Sequence, residues 1–103
     1  MENRYAQVIS AGWGHTILEK EYDNYSNLKE DRILVDLYFT KKDLKEIQKQ
    51  NINEDKFYIR FVFDEMDIQV SYKTKNIDNA ENLIITFAYY QEKERVVVPT
   101  ELN

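Results

Sequence analysis

The chain holds one histidine and no cysteine, and those two counts bound the chemistry open to it. His15, between Gly14 and Thr16, is the one side chain whose ordinary pKa lies near neutrality, as a general base requires. A base needs a nucleophile beside it and a third group to orient it. No motif ties Ser10, Thr16 or Ser26 to His15, so a turn or packing role is expected. Without cysteine there is no thiol catalysis, no disulfide framework and no thiolate zinc site. No glycine-rich loop is spaced to cradle phosphate; the two glycines are Gly12 and Gly14. No catalytic residue, cofactor or metal site is expected.

Carboxylates are plentiful, with 19 Asp and Glu among 103 residues. Asp64, Glu65 and Asp67 cluster in an expected turn, but without the ligand spacing and central glycine of an EF-hand loop. Glu19, Glu21 and Asp23 form a second group, Glu30 and Asp31 a third. Paired carboxylates serve glycoside hydrolysis, but with this many acids some pairs arise by chance. Solvated turns and strand faces are the expectation.

The aromatic residues point elsewhere. Trp13 is the sole tryptophan, and eight tyrosines are a marked excess. Tyrosine and tryptophan offer large, rigid contact area with a polar tip, which suits interfaces. Trp13 between two glycines is expected to project from a turn. Tyr22 and Tyr25 lie in the segment that carries Glu19, Glu21 and Asp23. Together Trp13, Tyr22, Tyr25, Glu19, Glu21 and Asp23 are the expected partner-binding residues. A second grouping, Tyr58, Arg60 and Tyr90, resembles the aromatic stacking platform of single-strand nucleic-acid binders. Against it, Lys41, Lys42, Lys45 and Lys49 wrap a helix instead of lining a groove.

The elements that must position these residues are mostly strands. Tyr5–Ser10 alternates weakly and is expected to be a first strand, broken by Gly12–His15. Thr16–Tyr22 is expected to run back against it, and the polar stretch Asp23–Asp31 to be a loop. Arg32–Phe39 alternates well, with Ile33, Val35, Leu37 and Phe39 on one face. Thr40 and Asp43 make a capping box for one helix near residues 41–50, whose apolar stripe is Leu44 and Ile47. Lys56–Phe63 and Ile68–Lys73 read as a hairpin turning through Asp64–Asp67. Leu83–Tyr90, apolar on both faces, is expected to be central. Val96–Val98 follows, and Pro99 suits an edge or an end.

The expected class is α+β: mainly antiparallel sheet, one helix, then a C-terminal β-meander, in a single domain over residues 1–103. A small OB-like barrel is the alternative.

The net charge of −5 argues against direct binding to nucleic acid or anionic membrane and fits docking on a basic protein surface. No stretch is long and apolar enough to span a bilayer, and the polar start lacks the pattern of a signal peptide. A cytoplasmic location is expected. Ile, Lys, Asn, Tyr and Phe make up 42 residues; their A/T-rich codons suit a low-GC bacterium or its phage or mobile elements. These readings converge on a non-enzymatic accessory or inhibitor protein that occludes a partner surface. The alternatives are a single-stranded nucleic-acid binder and an oligomeric structural subunit paired through the Val96–Val98 edge.

Overall fold

The structure is a computed structural model that describes residues 4–27, 31–63 and 66–98. Seven strands and one helix follow in the order β1 (Tyr5–Ser10), β2 (Thr16–Asn27), β3 (Arg32–Phe39), α1 (Lys41–Gln50), β4 (Lys56–Phe63), β5 (Met66–Lys73), β6 (Leu83–Tyr90) and β7 (Arg95–Val97). A 3-10 turn, Thr74–Ile77, leads out of β5. All strands join one antiparallel sheet in the order β5-β4-β1-β2-β3-β6-β7.

The sheet curls into a nearly closed barrel. Phe61 on β4 and Phe87 on β6 are separated by three strands in sheet order, yet their rings meet edge-on at 4.8 Å. Tyr22 on β2 meets Phe61 in the same way at 5.7 Å. The two ends of the sheet, β5 and β7, approach each other. Only strong curvature brings these rings together, because adjacent strands lie about 4.8 Å apart. The α+β class and the OB-like barrel both describe this molecule. The expected C-terminal meander is corrected in one respect: β6 leaves β5 and pairs with β3 along its full length, from Arg32–Tyr90 to Phe39–Leu83. Pairing there covers both edges of β3 and lets Ile85 and Phe87 enter the core.

Period-two alternation fills that core. Ala6 and Val8 of β1, Val35, Leu37 and Phe39 of β3, and Phe57, Ile59 and Phe61 of β4 are all buried. The helix begins as its sequence dictates: the Thr40 hydroxyl accepts from the Asp43 N–H, and the Asp43 carboxylate accepts from the Thr40 N–H. Such a cap is worth about 1 kcal/mol. Leu44 and Ile47 then drop into the core, where a ten-residue helix finds the packing it needs to persist.

The second strand corrects an expectation. It does not end at Tyr22 but runs to Asn27, hydrogen-bonded to β3 from Tyr22–Leu37 to Asn27–Arg32. Asp, Asn and Ser are poor strand formers by composition; pairing with the strongly apolar β3 overrides that preference. Residues 28–30, 64, 65 and 99 of the expected turns and edge lie outside the described residues. Met66 and Asp67, expected in a turn, already belong to β5.

Candidate partner-binding face

Parity along β2 sorts its residues into two sets. Tyr22 points inward and is 6% exposed, packed on Phe61. It therefore leaves the expected set of partner contacts: its ring is part of the core. The alternate residues Glu19, Glu21, Asp23 and Tyr25 point outward and are exposed. A bulge between Val8 and Ile9 resets the alternation near the start of β2 and lets Ile17 turn inward too. This is why the face could not be assigned from the polar-apolar pattern alone.

The register shows what stands beside these residues. Asp23 lies opposite Asp36 on β3, and Asp36 lies opposite Thr86 on β6. Tyr25 lies opposite Leu34, which lies opposite Ala88. Continuing the register puts Glu21 beside Tyr38, which pairs with Ile84; on the other side Glu21 pairs with Tyr5 of β1. The outer face is thus a grid of three rows. An acidic row, Asp23–Asp36–Thr86, is bounded by an aromatic-apolar row on each side. None of these positions carries a lysine or arginine.

Tyr5, Tyr25, Tyr38 and Ile84 are about half exposed, an unusual density of large apolar groups on the outside of a sheet. The Thr86 hydroxyl donates to Asp36 Oδ1 at 2.8 Å and fixes that carboxylate. Tyr38 feels the grid electrostatically. Partial burial, then the charges of Asp36 and Asp23 and the Tyr25 hydroxyl, push its phenol above the usual tyrosine range. Of these groups, sequence reasoning found Glu21, Asp23 and Tyr25 and missed Asp36, Tyr38, Ile84 and Tyr5; Glu19 lies one row beyond them, opposite Gln7 of β1, whose amide donates to it at 3.3 Å. The outward alternation of Leu34, Asp36 and Tyr38 was readable; their neighbours on β2 were not, because residues 23–27 read as a loop.

Trp13 does project, at 84% exposed, but from the end of the barrel and not from this face. Its connection is tightly held. Ser10 N–H donates to the His15 carbonyl, Gly14 N–H to the Ser10 carbonyl, and Trp13 N–H to Ser10 Oγ. Gly14 sits at φ 72°, where glycine is favoured. Asn51, buried after the helix, accepts from Ala11 N–H at 2.9 Å and donates to the Lys56 carbonyl at 3.0 Å. Ile52, beside it in sequence, is also strongly exposed. Trp13 and Tyr25 stand toward opposite ends of β2, so the expected contacts do not form one patch: the acidic residues and Tyr25 belong together, and Trp13 belongs with the helix C-terminus.

The remaining candidates resolve in the same way. His15 is exposed, with Nε2 at 2.9 Å from Gln50 Oε1 at the end of α1. Arg60 is held by Asp67 through Nε at 2.7 Å and through its second guanidinium nitrogen, a bidentate pair that holds the Asp67 carboxyl below its usual range. Tyr58 and Arg60 on β4 and Tyr90 on β6 have β1, β2 and β3 between them, and Tyr90 carries the Arg95 guanidinium over its ring. They make no common stacking platform. Among the described residues no group of three or more His, Cys, Asp or Glu is placed to hold a metal, and no helix is long and apolar enough to cross a membrane. No protein-family model, curated protein or solved structure matches the chain.

Proposed function

We propose that this chain is a non-enzymatic, cytoplasmic protein-binding module of the accessory or inhibitor kind, which acts by covering a basic surface of its partner. The observation that carries this reading is the patch on the outer face of β1, β2, β3 and β6 where Glu21, Asp23 and Asp36 stand among Tyr5, Tyr25, Tyr38 and Ile84 with no lysine or arginine among them; Arg32, of the same parity on β3, lies in the row beyond Leu34, opposite Asn27 and Tyr90. Rigid aromatic anchors with a polar tip are what protein interfaces favour. Carboxylates between them steer a basic partner into place and penalise acidic ones.

The energetics of the fold support the same reading. Asp23 and Asp36 face each other across paired strands. Directly opposed like charges cost a sheet roughly 0.2–1 kcal/mol compared with a neutral pair. A face shaped for stability alone would carry threonine or opposite charges there. A partner's cation converts that repulsion into attraction. The A/T-rich residue bias fits a phage or mobile-element origin, where small inhibitors of basic, nucleic-acid-binding proteins are useful.

The test is affinity capture from a lysate of the source organism, with nuclease added, comparing wild type with Asp36→Lys and with the remote variant Lys93→Ala. A protein held by wild type and Lys93→Ala, released at high salt and lost with Asp36→Lys, is the expected result. Capture that is indifferent to salt and to Asp36→Lys refutes the reading.

A further inference from the structure

Resting on the reading of this face as the partner-binding surface, we propose that the partner cations it takes are arginines. The outer face is a docking surface for a protein whose contacting groups are guanidinium ions, and it discriminates against lysine.

Geometry on three strands carries the inference. The two central carboxylates stand on neighbouring strands, Asp23 opposite Asp36, so their backbones are about 5 Å apart. Planar guanidinium presents several N–H donors in a fixed fork, which can address two carboxylates at once; an ammonium is a point charge. Thr86 occupies one oxygen of Asp36 from the β6 side and so orients the group. Along the strand direction, Tyr38 lies to one side of this acidic row and Tyr25 to the other, each about half exposed. The Tyr38 phenol is raised first by partial burial and then by Asp36, Asp23 and Tyr25, in keeping with the register that sets Asp36 two residues from it on β3 and opposite Asp23.

A guanidinium bonded to the acidic row lies beside aromatic faces on which it can stack. It is also more weakly hydrated than an ammonium, so it sheds less favourable solvation on docking. Leu34 in the next row, half-buried, offers apolar surface to the methylene stem. The chain itself sets a precedent for ring-guanidinium stacking with Arg95 over Tyr90, at 5.1 Å from the centroid.

Two peptides of equal length and charge, one of alternating arginine and glycine and one of alternating lysine and glycine, test this by titration calorimetry at low ionic strength. The arginine peptide is expected to bind about three- to tenfold more tightly. Asp36→Asn should weaken both peptides. Tyr38→Leu with Tyr25→Leu should weaken the arginine peptide more than the lysine peptide and so erase the preference, and Tyr38→Phe should keep it. Far-UV circular dichroism melts confirm that each variant is folded, as expected for outward-facing sites. Equal binding of both peptides, sensitive to Asp36→Asn, overturns arginine selection and leaves the basic-surface reading standing. A preference that survives loss of both tyrosine rings also overturns it. Binding of neither peptide overturns both.

Discussion

Replacing Asn51 by alanine should be the most damaging single change to a polar residue of this protein. The side chain is 2% exposed and ties three segments together. It accepts from Ala11 N–H at 2.9 Å, donates to the Lys56 carbonyl at 3.0 Å and reaches Thr74 Oγ1 at 3.4 Å. Each well-formed bond adds about 0.5–1.5 kcal/mol net, and a backbone group left unpaired in a buried site costs about 1–3 kcal/mol. The third bond is long and adds little. Both backbone groups lie near the barrel end, so water reaches them in part, and a loss of about 2–4 kcal/mol follows. For a domain of this size that lowers the melting temperature by roughly 10–20 °C. Urea denaturation followed by far-UV circular dichroism measures it. Asn51→Asp should cost as much, because it keeps the acceptor for Ala11 but sets a carboxylate against the Lys56 carbonyl. Ile52→Ala, one residue on and exposed, should shift stability by less than about 0.5 kcal/mol. An Asn51→Ala midpoint equal to wild type would refute the role given to this network.

Trp13 should be a poor reporter of unfolding, because its indole is already in water; its emission maximum should barely change between native and urea-unfolded protein, whereas a large red shift would mean a covered ring. Acid should weaken the fold through Asp43. Burial pushes that carboxyl up, but hydrogen bonds from Lys20 and from the Thr40 N–H and hydroxyl outweigh it and hold its pKa below the unfolded value. The unfolded chain therefore takes up the proton first, and the stability present above about pH 4 is lost as pH falls through the folded pKa. Asp43→Asn should flatten that part of the stability profile measured by urea denaturation at successive pH values. Tyr38 should titrate later than free tyrosine by NMR, and Asp36→Asn should bring its midpoint down; an unchanged midpoint would separate the two side chains.

Where alternation and capping were strong, the fold was legible. The bounds of β3, α1, β4 and β6 follow from apolar periodicity and the Thr40–Asp43 box, and all are found in the structure. Local pattern failed where the determinant was nonlocal. The polar half of β2 is a strand because β3 offers it a full ladder, a partner no local window contains. Tyr22 is expected on the surface because alternation in β2 is mixed: Lys20 interrupts Leu18 and Tyr22 on one parity, and Ile17 shares the other with Glu19 and Glu21. Lys20 shows how a charge fits on the inner parity: it pairs with Asp43 at the start of α1, at 2.7 Å. The acidic half of the candidate face was legible as composition. Its assembly with Asp36, Tyr38 and Ile84 depends on the pairing of β2 with β3 and of β3 with β6, and the second of these crosses the whole helix and the β4–β5 hairpin.

Site-specific photo-crosslinking tests the central claim most directly. A photoreactive phenylalanine is placed at position 25, 38 or 84 on the outer face, and at 58 or 93 as controls, and each protein is irradiated in a lysate of the source organism. One and the same partner protein should be crosslinked from all three face positions and from neither control, and the crosslinked partner peptide should be basic. Crosslinks that come from 58 or 93 and not from the face would contradict the assignment of the β1–β2–β3–β6 surface as the place where this protein meets its partner.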